Sequence, residues 1–546
     1  MRPFAPGRAF MAPALQDAPL EAAPARNRVR FLAVGIFAAL LLLAGRAVQL
    51  AFCGEPRGAP RGVAAAVAIP RADIVDRNGV LLATTVRAYA LTATPSRTWN
   101  AEETARRLRG LFPDLDQAAT VRRLTDASRR LVYLRRGLTP NQREQVHALG
   151  LAGIGFEAED RRVYPQGALA AHALGFTDVD LNPLAGVERG LDAQIRAAGE
   201  AGRAVRLSLD VRMQYALEEE LIAAARAAGA TGASGILLNG RTGEVLALAS
   251  WPRFDPNDAG AASDNARRDR VAGDVHELGS TIKPFTVAIA LQEQVTSSGE
   301  LFDLSQPFDI DGHVIEDHEP VAGLASLRDI LARSSNIGAA RLALRVGGAR
   351  QRSYIESLGL TQPAGLELAR NQAPLAPHAR GRRDVAGLGF GYGLAATPAT
   401  LASAYTVFAN QGARVAPTLI ARARDADIER HDVFTPEVTR QLLVYMRAAV
   451  TDGTGRAADV PGLAVAGKTG TAEMFSAGAG YDESRNFSSF AGVFPANDPR
   501  YVVVVALDGA GEGDVGGQVA APVVARTLRR IAPMLGLRVE PRAPAR

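Results

Sequence analysis

The chain has 546 residues, 47% of them hydrophobic and 22% charged, with a formal net charge of +5. That length suggests several domains, or one large one with appendages, and supplies enough apolar material for a sizeable core. Basic and acidic residues are dispersed and nearly balanced, which argues against nucleic-acid binding. The single cysteine, Cys53, excludes an intramolecular disulfide and a cysteine-based metal site. His and acidic residues show no HExxH-like spacing, so neither metal nor other cofactor is expected.

Residues 1–30 are rich in Pro and Ala and carry five arginines; they read as a cytoplasmic tail. Phe31 to Gly45, FLAVGIFAALLLLAG, is uncharged, and after Arg46 the apolar character resumes to Phe52. The run alone is shorter than the ~20 residues of a usual span. Snorkelling of Arg46 extends it, giving a transmembrane anchor over 31–52. A cleaved signal peptide is the competing reading, disfavoured by the long leader and the lack of a small-x-small site. Phe52 is too bulky before Cys53 for a lipoprotein signal. The preceding arginines place the N-terminus in the cytoplasm and the rest of the chain outside the inner membrane.

Residues 53–68, rich in Pro, Gly and Ala, read as a linker, and 69–205 as a non-catalytic domain. There Asp76-Arg77-Asn78-Gly79 marks a hairpin turn. Residues 101–150 read mostly as Arg-rich amphipathic helices, and 161–192 as a short helix among Gly and Pro turns. No chemical constellation stands between 54 and 205. From 206 to 536 the character changes. Asp210 suits the N-cap of a helix, and 235–250 reads as two strands about the turn 239–243. Helices then dominate to about 460. Three strands follow (GLAVAGKTGTAEMF, SSFAGVFPA and YVVVVALDGA), then a closing helix and a tail over 537–546. The pattern describes an α/β sandwich, with helices on one or both sides of an antiparallel sheet.

Only two of the 62 basic residues are lysine, Lys283 and Lys468. A chain so committed to arginine retains lysine where an amine must lose its proton, which arginine cannot do. Ser280 follows Gly279 at an expected helix start and precedes Lys283 by three residues, which on a helix puts both on one face. A serine hydroxyl needs a base to act as a nucleophile; the bland alternative is a helix cap beside an incidental lysine. Ser334-Ser335-Asn336 is feeble alone. Lys468-Thr469-Gly470-Thr471 ends an apolar strand, where Gly470 permits close approach of a substrate backbone, the threonines offer hydroxyls and Lys468 a charge for a carboxylate.

In this order and spacing the three elements resemble the serine acyl-transferases that recognise penicillin: Ser280/Lys283, Ser334/Asn336 and Lys468/Thr469/Gly470 match Ser-x-x-Lys, Ser-x-Asn and Lys-Thr-Gly. RADIVDRNGVLLA (with Ala72 where Gly is usual), RRVYPQGALAAHALGF, GVERGLD, TGEVLALAS, FGYGLAATP and VFANQG are similar to class B penicillin-binding proteins. The anchor, Ser-Ser-Asn and Lys-Thr-Gly-Thr-Ala resemble the septal, FtsI-type branch. Leu278 and His276 depart from the usual Pro and aromatic residue.

The resemblance implies an α+β fold of the penicillin-binding transpeptidase/serine β-lactamase type. It has an antiparallel sheet with helices, an all-helical subdomain, an elongated N-terminal α+β pedestal of dimerisation type and one transmembrane helix. It implies a D,D-transpeptidase that crosslinks peptidoglycan stem peptides during septal cell-wall synthesis and is inhibited by β-lactam antibiotics. Ser280 would attack, Lys283 take its proton, Ser334 relay a proton to the departing D-alanine, and Asn336 hold Lys283 and the substrate amide. A charged Lys468 would help keep Lys283 neutral. Thr469 and Thr471 would bind the terminal carboxylate, and the N–H groups of Ser280 and Thr471 would receive the oxyanion. Implied partners are a membrane-embedded glycan polymerase and other division-complex proteins. An elongation-type transpeptidase, a carboxypeptidase, a β-lactamase, a β-lactam sensor and an inactive division scaffold stand as alternatives.

Overall fold

The computed structural model describes residues 31, 33–45, 71–320, 323–375, 381–476, 480–510 and 516–539, without the side chains of 473–485 and 510. The chain divides into two compact units, Met1–Ala68 and Ile69–Arg546. In the first, residues 33–45 are helical, and their apolar side chains, Phe37 and Leu42 among them, are exposed. The expected tail over 1–30, the remainder of the expected anchor (46–52) and the linker over 53–68 lie outside the described residues. No helix among the described residues is long and apolar enough to cross a membrane.

The second unit opens with β1 (Ile74–Val75) and β2 (Leu81–Ala93), antiparallel about the expected turn. Asp76 Oδ1 closes that turn by accepting from the amides of Asn78 (2.7 Å) and Val80 (2.8 Å). Helices α1 (Ala101–Leu111), α2 (Gln117–Thr125) and α3 (Pro140–Ala148) form as the Arg-rich segments suggest. They bury Leu108, Leu124 and Val146 with Leu91 and Leu134 in a small core. Between and after them run two strands absent from the sequence reading, β3 (Val132–Leu138) and β4 (Ile154–Val163), which flank β2. In β3 the alternation of Val132 and Leu134 stops at Arg135-Arg136, and Gly137 turns left-handed (φ 74°), so too little period-2 pattern remains to read. β5 (Val205–Arg206) pairs parallel to β1. Arg71 and Arg162 both clamp the buried Glu188 carboxylate, with Arg162 Nε at 2.6 Å, fixing the turn that carries Glu188 against the start of this unit.

Asp210 caps α4 (Val211–Ala227), its side chain accepting from Arg212 N. β6 (Gly232–Asn239) and β7 (Val245–Trp251) form the expected hairpin. After β8 (His276–Glu277) comes α5 (Lys283–Gln292). The stretch that follows is not wholly helical. β9 (Leu301–Asp303), β10 (Phe308–Ile310), β11 (His313–Ile315) and β12 (Leu324–Ser326) make two short antiparallel pairs, β9 with β12 and β10 with β11. Then come α6 (Leu327–Ala332), α7 (Asn336–Val346), β13 (Ala395–Ala396), α8 (Pro398–Tyr405), the pair β14 (Ala413–Arg414) and β15 (His431–Asp432), and α9 (Pro436–Thr451). The expected all-helical subdomain therefore carries small strand pairs, each too short for a periodic signal. β16 (Ala466–Ser476), β17 (Gly480–Phe494), β18 (Tyr501–Ala510) and α10 (Ala520–Ile531) close the fold.

The main sheet is antiparallel throughout, in the order β16-β17-β18-β6-β7. Alternation sends Leu237, Leu246, Phe490 and Val503 to one core with α4 and α10. Ile236, Leu238, Val493, Val502 and Val504 go to another, with α5, α7, α8 and α9. Three layers result, and β16 lies at the edge of the sheet.

Candidate active site

Ser280 sits in a 3-10 turn, Gly279–Ile282, and the α-helix proper begins at Lys283, with Pro284 in its first turn. Three contacts hold the turn. Tyr405, fully buried in α8, donates its hydroxyl to Thr281 O at 2.7 Å. Thr281 Oγ1 donates to Leu278 O at 2.6 Å, and Leu278 N donates to Leu394 O at 3.0 Å. A proline at 278 would lack that last donor. Gly279 has φ 50°, and a Cβ on Gly391 (φ 94°) would lie 2.2 Å from Gly279 O. Gly391, in the FGYGLAATP segment, is thus what lets the chain press against the Ser280 turn. His276, the other departure, stacks on Phe487 with centroids 4.0 Å apart, its Nε2 3.4 Å from Asp508 Oδ1.

Ser334 follows α6 with φ 61°, a left-handed conformation that costs about 1–3 kcal/mol for a non-glycine residue and collects at functional sites. Ser334 N and Ser335 N satisfy the carbonyls of Leu331 and Ile330. Ser335 caps α7, and Asn336 begins it. This geometry aims Ser334 and Asn336 at Lys283, whose amine is fully buried. Lys283 Nζ bonds Ser334 O (2.5 Å), Ser334 Oγ (3.1 Å) and Asn336 Oδ1 (2.7 Å). Ser334 Oγ in turn donates to Ser280 Oγ at 3.0 Å.

Lys468 enters from β16, whose pairing sets Lys468 opposite Ala491 and Thr471 opposite Ser488. It is also buried, with Nζ 3.1 Å from Thr469 O. Thr469 Oγ1 shares a 2.7 Å hydrogen bond with Thr454, and Thr471 Oγ1 accepts from Gly516 N at 3.1 Å. A Cβ on Gly470 would strike Ser489 Oγ at 2.5 Å and Thr281 Cγ2 at 2.8 Å. The close approach at Gly470 is with the Ser280 turn itself, a reason that the strand-end reading did not supply.

Electrostatically the two amines differ from surface lysines. Burial, together with Lys468, pushes Lys283 well below its usual range, and Asp317 opposes the shift. Burial alone pulls Lys468 down to about 7. All the expected motif residues therefore converge, Ser280, Lys283, Ser334 and Asn336 in one hydrogen-bonded chain and Lys468 through charge. Tyr405, Gly391, Thr454 and Asp317 belong to the same assembly and were not singled out from the sequence. A tyrosine inside the Ala-rich α8 is the one sequence signal among them. Asp274, His276 and Asp508 bring metal-ligand atoms within 4.8 Å of one another. Arg270 Nη1 already bridges the two carboxylates there, at 2.8 and 3.1 Å, so a guanidinium takes a cation's place.

Residues 233–529 match the penicillin binding protein transpeptidase domain family, and 66–196 the penicillin-binding protein dimerisation domain family. The chain is 40% identical to a probable peptidoglycan D,D-transpeptidase FtsI of Caulobacter vibrioides, over 94% of this chain and 89% of that one. It is 31% identical to the peptidoglycan D,D-transpeptidase FtsI of Escherichia coli K12, over 84% and 82%. A crystal structure of penicillin-binding protein 3 from Mycobacterium tuberculosis, complexed with aztreonam, superposes with a TM-score of 0.67 at 25% identity, over 86% of this chain and 97% of that one. With two family domains in tandem and relatives of this kind along nearly its whole length, the chain belongs to the class B penicillin-binding proteins, on the FtsI-type D,D-transpeptidase branch.

Proposed function

We propose that the protein crosslinks peptidoglycan stem peptides at the division septum through an acyl-enzyme on Ser280. The observation that carries this reading is the chain Ser280–Ser334–Lys283, which ends on a buried amine. Two partners of Lys283, Ser334 O and Asn336 Oδ1, can only accept. The third, Ser334 Oγ, is a hydroxyl that can also donate. Once deprotonated, the amine keeps two N–H groups for the carbonyls, and its lone pair can take the Ser334 proton, which in this structure points to Ser280 Oγ, when Ser334 accepts the proton of Ser280 instead. Ser280 then passes its proton through Ser334 to Lys283 as its oxygen attacks the carbonyl between the two terminal D-alanines.

The C–N bond breaks as the proton returns through Ser334 to the departing D-alanine. An amine of a second stem then attacks the ester and releases Ser280. Asn336 holds Lys283 and the substrate amide. The free edge of β16 suits an extended peptide, with Thr469, Gly470 and Thr471 along it and Lys468 as charge for the carboxylate. The N–H groups of Ser280 and Thr471 receive the oxyanion. β-Lactams, such as the aztreonam held by the Mycobacterium relative, would acylate Ser280 in the same way.

In this reading 69–205 is the pedestal and 206–536 the catalytic domain, with 537–546 a tail. Residues 31–52 anchor the chain in the inner membrane with the catalytic domain outside it. The partners are a membrane-embedded glycan polymerase and other division-complex proteins. Similarity to two FtsI proteins favours a septal over an elongation role. Labelling with a fluorescent penicillin tests the nucleophile: Ser280→Ala should abolish covalent label, and equal labelling of the variant would defeat the assignment. Depletion in cells tests the role, with filaments expected and rounded cells contradicting it.

A further inference from the structure

Asp317 lies outside the three motifs, in the connection between β11 and β12. Its neighbours Glu316, His318 and Glu319 are exposed, whereas Asp317 turns inward and is half-buried. Its carboxylate accepts from Ser335 Oγ (2.6 Å), Asn336 N (2.6 Å) and Ile337 N (3.0 Å). The two amides belong to the first turn of α7 and have no partner within the helix. Beside this contact, Glu316 O accepts from Asn336 Nδ2 at 3.1 Å, leaving Asn336 Oδ1 facing Lys283. One two-residue segment thus fixes both the backbone and the amide orientation of Asn336. It also fixes the Ser334–Ser335 junction, whose left-handed residue supplies two of the three contacts of Lys283.

Resting on the reading of Ser280 and Lys283 as nucleophile and base, we infer that Asp317 is a positioning residue of the acyl-transfer site. It pins the start of α7 so that Ser334 and Asn336 meet the Lys283 amine, and its carboxylate acts on that amine through charge. The charges acting on Lys283 are then two of opposite sign, Lys468 from β16 and Asp317 from the β11–β12 connection. α7 contributes Asn336, and the Ser280 turn contributes hydroxyls. Lys468 and burial favour the neutral amine, and Asp317 favours the ammonium. Balance between them sets the pH at which the base becomes available.

Asp317→Asn and Asp317→Ala separate the two effects. Asparagine keeps an acceptor for the α7 amides and removes the charge; alanine removes both. The readout is the rate of labelling by a fluorescent penicillin as a function of pH, with thermal melting as the control for folding. Without the anion the ammonium is less favoured, so the acid limb of the Asp317→Asn profile should move to lower pH. In Asp317→Ala the limb should move likewise, and the plateau rate should fall about tenfold as Asn336 and Ser334 lose their register. An acid limb that stays at the wild-type pH in Asp317→Asn overturns the proposal, and that variant decides alone if the alanine variant fails to fold. A wild-type protein that takes no label, or a Ser280→Ala variant that labels like wild type, would defeat the reading of the site itself.

Discussion

The Lys283 amine meets Ser334 rather than Ser280: its Nζ is 3.1 Å from Ser334 Oγ, and Ser334 Oγ is 3.0 Å from Ser280 Oγ. Among the described residues Lys283 makes no hydrogen bond to Ser280 directly. If protons leave Ser280 along this path, removing the middle hydroxyl should cost the contribution of general base catalysis. Ser334→Ala is expected to slow acylation by penicillin about a hundredfold. Because φ at 334 is 61°, alanine keeps the backbone strain that serine already bears, and Ser334→Gly makes the same chemical deletion while relieving it. Both variants should be slow, as read by stopped-flow labelling. A glycine variant as fast as wild type would remove Ser334 from the path.

Lys283→Arg keeps a positive group and forbids deprotonation. The site is buried on every side, and the larger guanidinium must displace Ser334 or Asn336, so Lys283→Met serves as the smaller companion. Labelling should fall by about a thousandfold or more in both. Near-normal acylation by either variant would show that another group is the base.

The crossing at Gly391 gives a purely steric test. Its φ of 94° and the 2.2 Å approach of a would-be Cβ to Gly279 O leave no room for a side chain. Gly391→Ala must push the Ser280 turn away from Ser334, since the atoms met are backbone. Acylation should drop at least about tenfold, and a melting curve checks that the variant still folds. Wild-type acylation rates would mean that the turn has slack which these distances do not suggest.

Much of this assembly was legible in the chain because its chemistry uses rare residues. In a sequence with two lysines, both proved to be buried at one site. The strands of the main sheet were legible from long apolar runs such as Tyr501–Ala510, and α4 from its Asp210 cap. Elements stabilised by partners distant in sequence were not. β3 and β4 are strands because β2 lies between them, while their own residues are Arg- and Glu-rich. Asp317 is one of several acids in an exposed connection, and nothing in its spacing marks it as the one that turns in to cap α7. The 3-10 turn at Ser280 likewise depends on the Tyr405 hydroxyl, 124 positions away. Whether arginine could replace Lys468 had no answer in the sequence. A side chain only 1% exposed, folded back on Thr469, now argues that it cannot.

Away from the catalytic groups, Glu218 on α4 should make stability depend on pH. Its Oε1 accepts from Ala170 N and Gln214 Nε2, both at 2.8 Å, while its buried Oε2 has no partner. Desolvation raises its pKa from the ordinary 4.5 to about 7. Below pH 4.5 the acid is protonated folded and unfolded alike; between 4.5 and 7 the folded chain holds a proton that the unfolded chain has released. The stabilisation is therefore fully present at low pH and is lost as pH rises through the folded value. Asp269, raised by burial to about 6, acts with the same sign over a lower window. Glu218→Gln keeps the Oε1 acceptor and removes the titration. Melting temperature should decline less steeply in the variant than in wild type as pH climbs from about 4.5 to 7. At neutral pH the variant should melt higher, since wild type there begins to bury a carboxylate with one unpaired oxygen. Parallel melting curves for the two proteins across that range would show that water reaches Glu218 and that its ionisation is not coupled to folding.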